Sequence, residues 1–277
     1  MRRYATVWIT LAFLHTSAGA EPTASSCPAP PEEPVVVDPG DTYLQPSAKR
    51  DDDESIYIHV TEADMPWVVS IATPKRPPRY GSRKKAREVS IEAMRGWERA
   101  IHEHLPWFRL EFVEDDPNAA VQIVWKRRMT GSAAGRGGQR WKMEDGCLRV
   151  GGFMNIATRS GPEIYEQLTI DELELLVAHE FGHVLGLKHC LDCDSAMNYS
   201  WQTRERIYVT DLDVRTFLKL VSIPNGATAV RSGESSASQG DLAPLARIIH
   251  EAVTKRRLSA EFSRDAARAV PGGAPIA

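Results

Sequence analysis

The sequence predicts an α+β fold built by one domain spanning about residues 55–223. Two long helices bracket a set of short strands, and a third, shorter helix closes the domain. Three observations point there. In SRKKAREVSIEAMRGWERAIHEH (82–104), Val89, Ala93, Met94, Trp97, Ala100 and Ile101 fall on one stripe at helical spacing. FRLEFVE (108–114), AAVQIVWKR (119–127) and CLRVGGFMNIAT (147–158) are rich in β-branched and aromatic residues, as strands are. Thr169-x-x-Glu172 is a capping-box pattern, and it stands just before the apolar run ELELLVAHEFGHVLG.

Taken in order, the chain starts with Arg2 and Arg3, a short apolar run over 5–14, and Ala18-Gly19-Ala20. That is the pattern of a secretory signal peptide over 1–20, and it predicts a secreted or periplasmic protein. The apolar run is too short to span a bilayer. Residues 21–54, rich in Pro, Ala, Ser and acids, read as a disordered linker or a short pro-segment. IYIHV (56–60) reads as the first strand, and Pro74 to Pro78 as a loop. MTGSAAGRGGQR (129–140) reads as a glycine-rich loop, and Gly151-Gly152 as a bulge in the strand that follows. VTDLDVRTFLKL (209–220) reads as a helix with Thr210 as N-cap. Residues 224–277 form a polar extension, with a helical stretch expected near 241–268.

The net charge of −3 and pI near 6.3 favour neither nucleic acid nor an anionic membrane surface as partner. The oligomeric state is not legible. Export implies an oxidising compartment, in which Cys27, Cys147, Cys190 and Cys193 can pair in three ways. Cys190 with Cys193 is one option, and Cys147 with either of them is another.

The chemistry concentrates in AHEFGHVLGLKHC (178–190). On a helix, His179 and His183 lie about 40° apart on one face, one turn above the other. Both imidazoles can therefore reach one metal ion. Glu180 lies about 100° round the helix, beside the metal but off its coordination sphere, where a general base belongs. Gly186 tolerates positive φ and can turn the chain back. His189 then returns as a third ligand, leaving an open fourth position of the catalytic type. An ordinary amphipathic helix would not need five specified residues at these spacings.

The pattern His179-Glu180-x-x-His183-x-x-Gly186-x-x-His189, with SAMNY (195–199) after it, resembles the metzincin zinc metallopeptidases. Met197, eight residues after His189, is spaced as in the matrixin branch. The helix–strand–strand order of 82–125 and the stretch TDLDVRTF (210–217) are also similar to matrixins. The resemblance implies a metzincin fold: a mixed twisted sheet, an active-site helix, a second long helix, and a small C-terminal subdomain with a Met-turn and C-terminal helix. It implies one catalytic Zn²⁺ on His179, His183 and His189, Glu180 as general base, and Met197 as an apolar floor under the metal. A protein or peptide would be the substrate. Tyr199, two residues after the methionine, is placed as in the astacin and serralysin branches. There it would contact zinc or stabilise an oxyanion; a plain packing role at the turn is the other option.

Two matrixin features are missing. No His-x-Asp loop for a second zinc and calcium occurs in 131–160, so Ca²⁺ is possible but unsupported. No cysteine-switch motif accompanies Cys27. Beside the resemblance, Cys190 and Cys193 read as a disulfide staple before the Met-turn. CLRVGGFMNIAT is expected to be the edge strand that pairs with substrate, with Trp201 or Arg204 shaping the pocket beyond the zinc. Other options are a catalytically silent zinc-binding metzincin, the same site acting on a small molecule or cell-wall peptide, and a closed structural zinc site completed by a cysteine.

Overall fold

The computed structural model describes residues 30–50, 53–78, 81–127, 129, 134–158, 168–198 and 209–230. Three helices and a five-stranded mixed sheet build the domain. Strands β3 (Trp67–Ile71), β4 (Leu110–Val113), β5 (Val121–Lys126), β6 (Gly135–Glu144) and β7 (Cys147–Ala157) lie in the order β4-β3-β5-β7-β6. All neighbours are parallel except β6 and β7, which form an antiparallel hairpin. A small second sheet joins β1 (Ala48–Lys49), β2 (Ser55–Tyr57) and β8 (Ala227–Thr228).

Helix α1 (Arg83–His102) starts where the Ser82 side chain accepts from Lys85 N–H. It buries Val89, Ala93, Met94, Trp97 and Ile101, the stripe legible in the sequence. Trp97 is fully buried, and its indole N–H donates to Ala178 O at 2.9 Å. That bond fixes α1 against α2 (Ile170–Val184), whose capping box of Thr169 and Glu172 is formed in both directions. Helix α3 (Asp211–Val221) has the same device, with Thr210 and Asp213.

Four sequence expectations need correction. The inner strand β3, in PWVVSIAT (66–73), was not anticipated, although Val68, Val69 and Ile71 suit a buried parallel strand. The expected first strand ends at Tyr57. The glycine-rich stretch from Gly135 onward is strand β6, not loop. Gly151-Gly152 forms no bulge, since the β6–β7 register runs unbroken over ten pairs. Those glycines serve close approach instead: a Cβ on Gly152 would lie 2.4 Å from Val184 Cγ1, and one on Gly151 would lie 2.4 Å from Ala120 O.

The 21–54 stretch, expected as linker or pro-segment, is packed on the domain in its described part. Leu44 and Ser47 are buried, and the Val35 backbone bonds to Thr228 and Val230. At the other end, β8 lies beyond residue 223 and pairs with β2. The expected helix near 241–268 lies outside the described residues. Among the described residues, no helix is long and apolar enough to cross a membrane.

Candidate metal centre

Helix α2 delivers His179 and His183 one turn apart, and its end delivers His189. The helix stops in a Schellman turn: Leu187 N–H bonds to Gly182 O at 2.9 Å and Gly186 N–H to His183 O at 3.1 Å. Gly186 takes φ +97°, a left-handed conformation that suits glycine. A Cβ there would also sit 2.6 Å from Gln139 Nε2. The turn throws His189 back over the helix.

The three ring nitrogens converge. His183 Nε2 lies 3.1 Å from His189 Nε2, which lies 3.2 Å from His179 Nε2. A tetrahedral ion with Zn–N distances of about 2.0–2.1 Å asks for nitrogens about 3.3–3.4 Å apart. Among the described residues, this is the one cluster of histidine, cysteine and carboxylate groups close enough to hold a metal.

Carbonyls select the tautomers. His179 Nδ1 faces Ala196 O at 2.8 Å, and His183 Nδ1 faces Leu187 O at 2.8 Å. A carbonyl only accepts, so each Nδ1 carries the proton and each Nε2 presents its lone pair inward. Burial, reinforced by the neighbouring imidazoles, lowers the pKa of His179 to about 4 and that of His183 well below its ordinary value. His189 is lowered by burial and by Lys188. Three neutral, converging imidazoles form a donor set that fits zinc.

Glu180 is buried between α2 and β6. Its carboxylate accepts from Gly137 N–H. Burial pushes its pKa up to about 7, against the opposing pull of that hydrogen bond. Helix and strand meet backbone to backbone here: a Cβ on Gly137 would lie 2.1 Å from Glu180 O, and one on Gly135 would lie 2.5 Å from Glu180 Oε1. The glycines that suggest a loop in the sequence are what let the edge strand reach the helix.

Met197 is fully buried, with its sulfur against Gly182 of α2. Gly182 makes room for it, since a Cβ there would lie 2.1 Å from Met197 Sδ. Cys190 and Cys193 are disulfide-bonded with Cα atoms 5.8 Å apart, and Cys190 N–H donates to Met197 O at 3.0 Å. Cys147 is in a disulfide too, and no described cysteine is free to complete a closed site. Tyr199, Trp201 and Arg204 lie outside the described residues.

Sequence reasoning missed Asp213. This fully buried carboxylate on α3 accepts from Ser195 Oγ, from Ala196 N–H at 2.9 Å and from its own cap residue Thr210. It thereby ties the turn carrying Met197 to α3. The signal was the Thr210-x-x-Asp213 spacing, which reads as a helix start and hides the second duty.

The expected substrate edge also moves. Strand β7 is paired on both sides, with β5 and β6, so it offers no edge. Among the described residues β6 is the outer strand on that side of the sheet.

Comparison with curated proteins returns no match. The family model described as Matrixin, of peptidase family M10, matches residues 66–221, more than half of the chain. That span takes in the five-stranded sheet, the three described α-helices and the histidine cluster, so the chain belongs to the matrixins, a family of zinc-dependent metallopeptidases.

Proposed function

We propose that this chain is an exported zinc endopeptidase that hydrolyses internal peptide bonds of protein substrates at the three-histidine centre. The observation that carries the proposal is the convergence of three Nε2 atoms, with tautomers set by Ala196 O and Leu187 O. His179, His183 and His189 would hold the zinc. When bound, zinc supplies Lewis acidity, polarising a carbonyl and lowering the pKa of a water to about 7. Glu180 would take the proton from the attacking water and pass it to the leaving amine. Burial raises its pKa against the pull of the Gly137 hydrogen bond, the direction that brings a general base toward the operating pH. Gly137 N–H orients one of its oxygens.

The substrate would lie along β6. Gly137 N–H points to Glu180, and Gly152 N–H points away from β6 to Ala120 O. In an antiparallel register this turns the backbone groups of Gly135, Gln139, Trp141 and Met143, and the Gly137 carbonyl, toward the open edge. An extended peptide pairing there gains affinity from main-chain bonds. Tyr199 would donate its phenol to the developing oxyanion.

The test is zinc content and casein or gelatin cleavage of the mature chain, beside Glu180→Ala and Tyr199→Phe. One zinc per chain, with cleavage lost in Glu180→Ala while zinc stays, supports the proposal. Zinc binding without cleavage by the wild-type chain would point to a non-proteolytic zinc-binding protein. Unchanged turnover in Tyr199→Phe would remove that residue from the mechanism.

A further inference from the structure

The segment before the family match is bonded to Asp213, the carboxylate that holds the 195–197 turn. Tyr43 lies 23 positions upstream of residue 66, where that match begins. Its hydroxyl donates to Asp213 Oδ1 at 2.6 Å. The same carboxylate accepts from Ser195 Oγ and from Ala196 N–H. Ser195 Oγ in turn accepts from Met197 N–H at 2.9 Å. Ala196 O is the acceptor for His179 Nδ1. A continuous line of hydrogen bonds therefore runs from Tyr43 through Asp213 and the 195–197 turn to a metal-facing imidazole.

The segment is seated independently of that line. Ser47, buried, accepts from Ile58 N–H at 2.6 Å and donates to Ile58 O at 2.9 Å. Tyr43 packs on the main core, and Asp41 pairs with Arg215 of α3 at 3.5 Å.

We infer that Tyr43 is a positioning residue for the zinc ligand His179, acting through Asp213 and the Ala196 carbonyl. The inference rests on the zinc-peptidase assignment above. Its consequence runs against a pro-segment role for residues around Tyr43. A pro-segment is removed to switch a peptidase on; loss of Tyr43 from this chain would loosen the metal and slow turnover. Partners at one remove from a ligand typically change metal affinity 10–100-fold. Tyr43 stands farther back, so the lower end, about tenfold, is expected.

The experiment compares the mature wild-type chain with Tyr43→Phe, Ser195→Ala and Ser47→Ala, each checked for fold by circular dichroism. Zinc dissociation constants are read by chelator competition, and the d–d bands of the Co²⁺-substituted proteins report ligand geometry. Tyr43→Phe keeps the ring and removes only the donor. Ser195→Ala cuts the line one step nearer the metal, at a residue outside the N-terminal segment. Ser47→Ala weakens the seating of the segment without entering the line. The expected result is weaker zinc, shifted cobalt bands, and a lower kcat at unchanged KM for Tyr43→Phe and Ser195→Ala, with Ser47→Ala like wild type. Wild-type zinc affinity in Tyr43→Phe, or equal losses in Tyr43→Phe and Ser47→Ala, would overturn the inference while leaving the zinc assignment intact. A wild-type chain that binds no zinc would sink both.

Discussion

Replacing Gly182 by alanine sets two physical effects against each other. Helix propensity alone favours the change, because alanine is about 1 kcal/mol better than glycine inside a helix. Packing opposes it. The new methyl carbon would sit 2.1 Å from Met197 Sδ and 3.2 Å from Trp97 Cζ2. Neither neighbour has free space, since Met197 and Trp97 are both fully buried. Overpacking of this kind costs about 1–3 kcal/mol, and a sulfur overlapped this deeply belongs at the upper end. The net expectation is a loss of about 1–2 kcal/mol. For a domain of this size, each kcal/mol lowers Tm by about 2–4 °C. Chemical and thermal denaturation of Gly182→Ala, Met197→Ala and the double variant would measure it. Met197→Ala alone should cost about 2–5 kcal/mol, as truncation of a buried methionine does. The double variant should fall short of the summed losses by about 0.5–3 kcal/mol, because the second change relieves the first. A Gly182→Ala protein more stable than wild type, or strict additivity, would refute the packing reasoning.

Two further expectations follow from the same geometry. Gly137→Ala forces a Cβ to 2.1 Å from the Glu180 carbonyl, so strand and helix must part. Displacing catalytic groups by about 1 Å can cost about a hundredfold in rate, so kcat should fall by that order while zinc content stays at wild type. Zinc loss in parallel would place the glycine in the ligand framework instead. The metal-free protein should lose stability on acidification. His179, His183 and His189 have lowered folded pKa values, so their contribution is complete above the unfolded value of about 6.5. It drains away as the pH falls through 6.5 toward 4. Glu180 acts in the opposite sense, because its raised pKa makes the folded state take up a proton below about 7. Three imidazoles outweigh one carboxyl, so Tm of the metal-free chain should drop between pH 6.5 and 4. A Tm that rises on acidification over this interval would refute the balance.

The metal site was legible because its spacing is local. Helical geometry alone puts His179 and His183 on one face, and glycine chemistry alone allows the return of His189. The capping boxes at Thr169 and Thr210 are equally local, and the helices began where those residues stood. What escaped depends on distant partners. Gly135 and Gly137 look like loop residues until α2 lies across them; the need for glycine comes from Glu180, 43 positions beyond Gly137. β7 looked like an edge because no local signal says whether a strand is paired on one side or both. Asp213 reads as a cap, and only the folded chain brings Ser195, Ala196 and Tyr43 to the same carboxylate.

The turn at Gly186 also bears on the order in which the protein becomes competent. All three candidate ligands fall within eleven consecutive residues, so bringing them together closes only short loops and loses little chain entropy. The contact that seats Glu180 instead waits for the β6–β7 hairpin to settle on the helix. Short-range contacts of this kind form early and long-range strand pairing forms late. Metal capture and hydrolytic competence are therefore separable events in the life of the chain. A partly folded molecule could hold an ion on its histidines while Glu180 is still out of place, and on the proposed mechanism such a molecule would be loaded yet inactive.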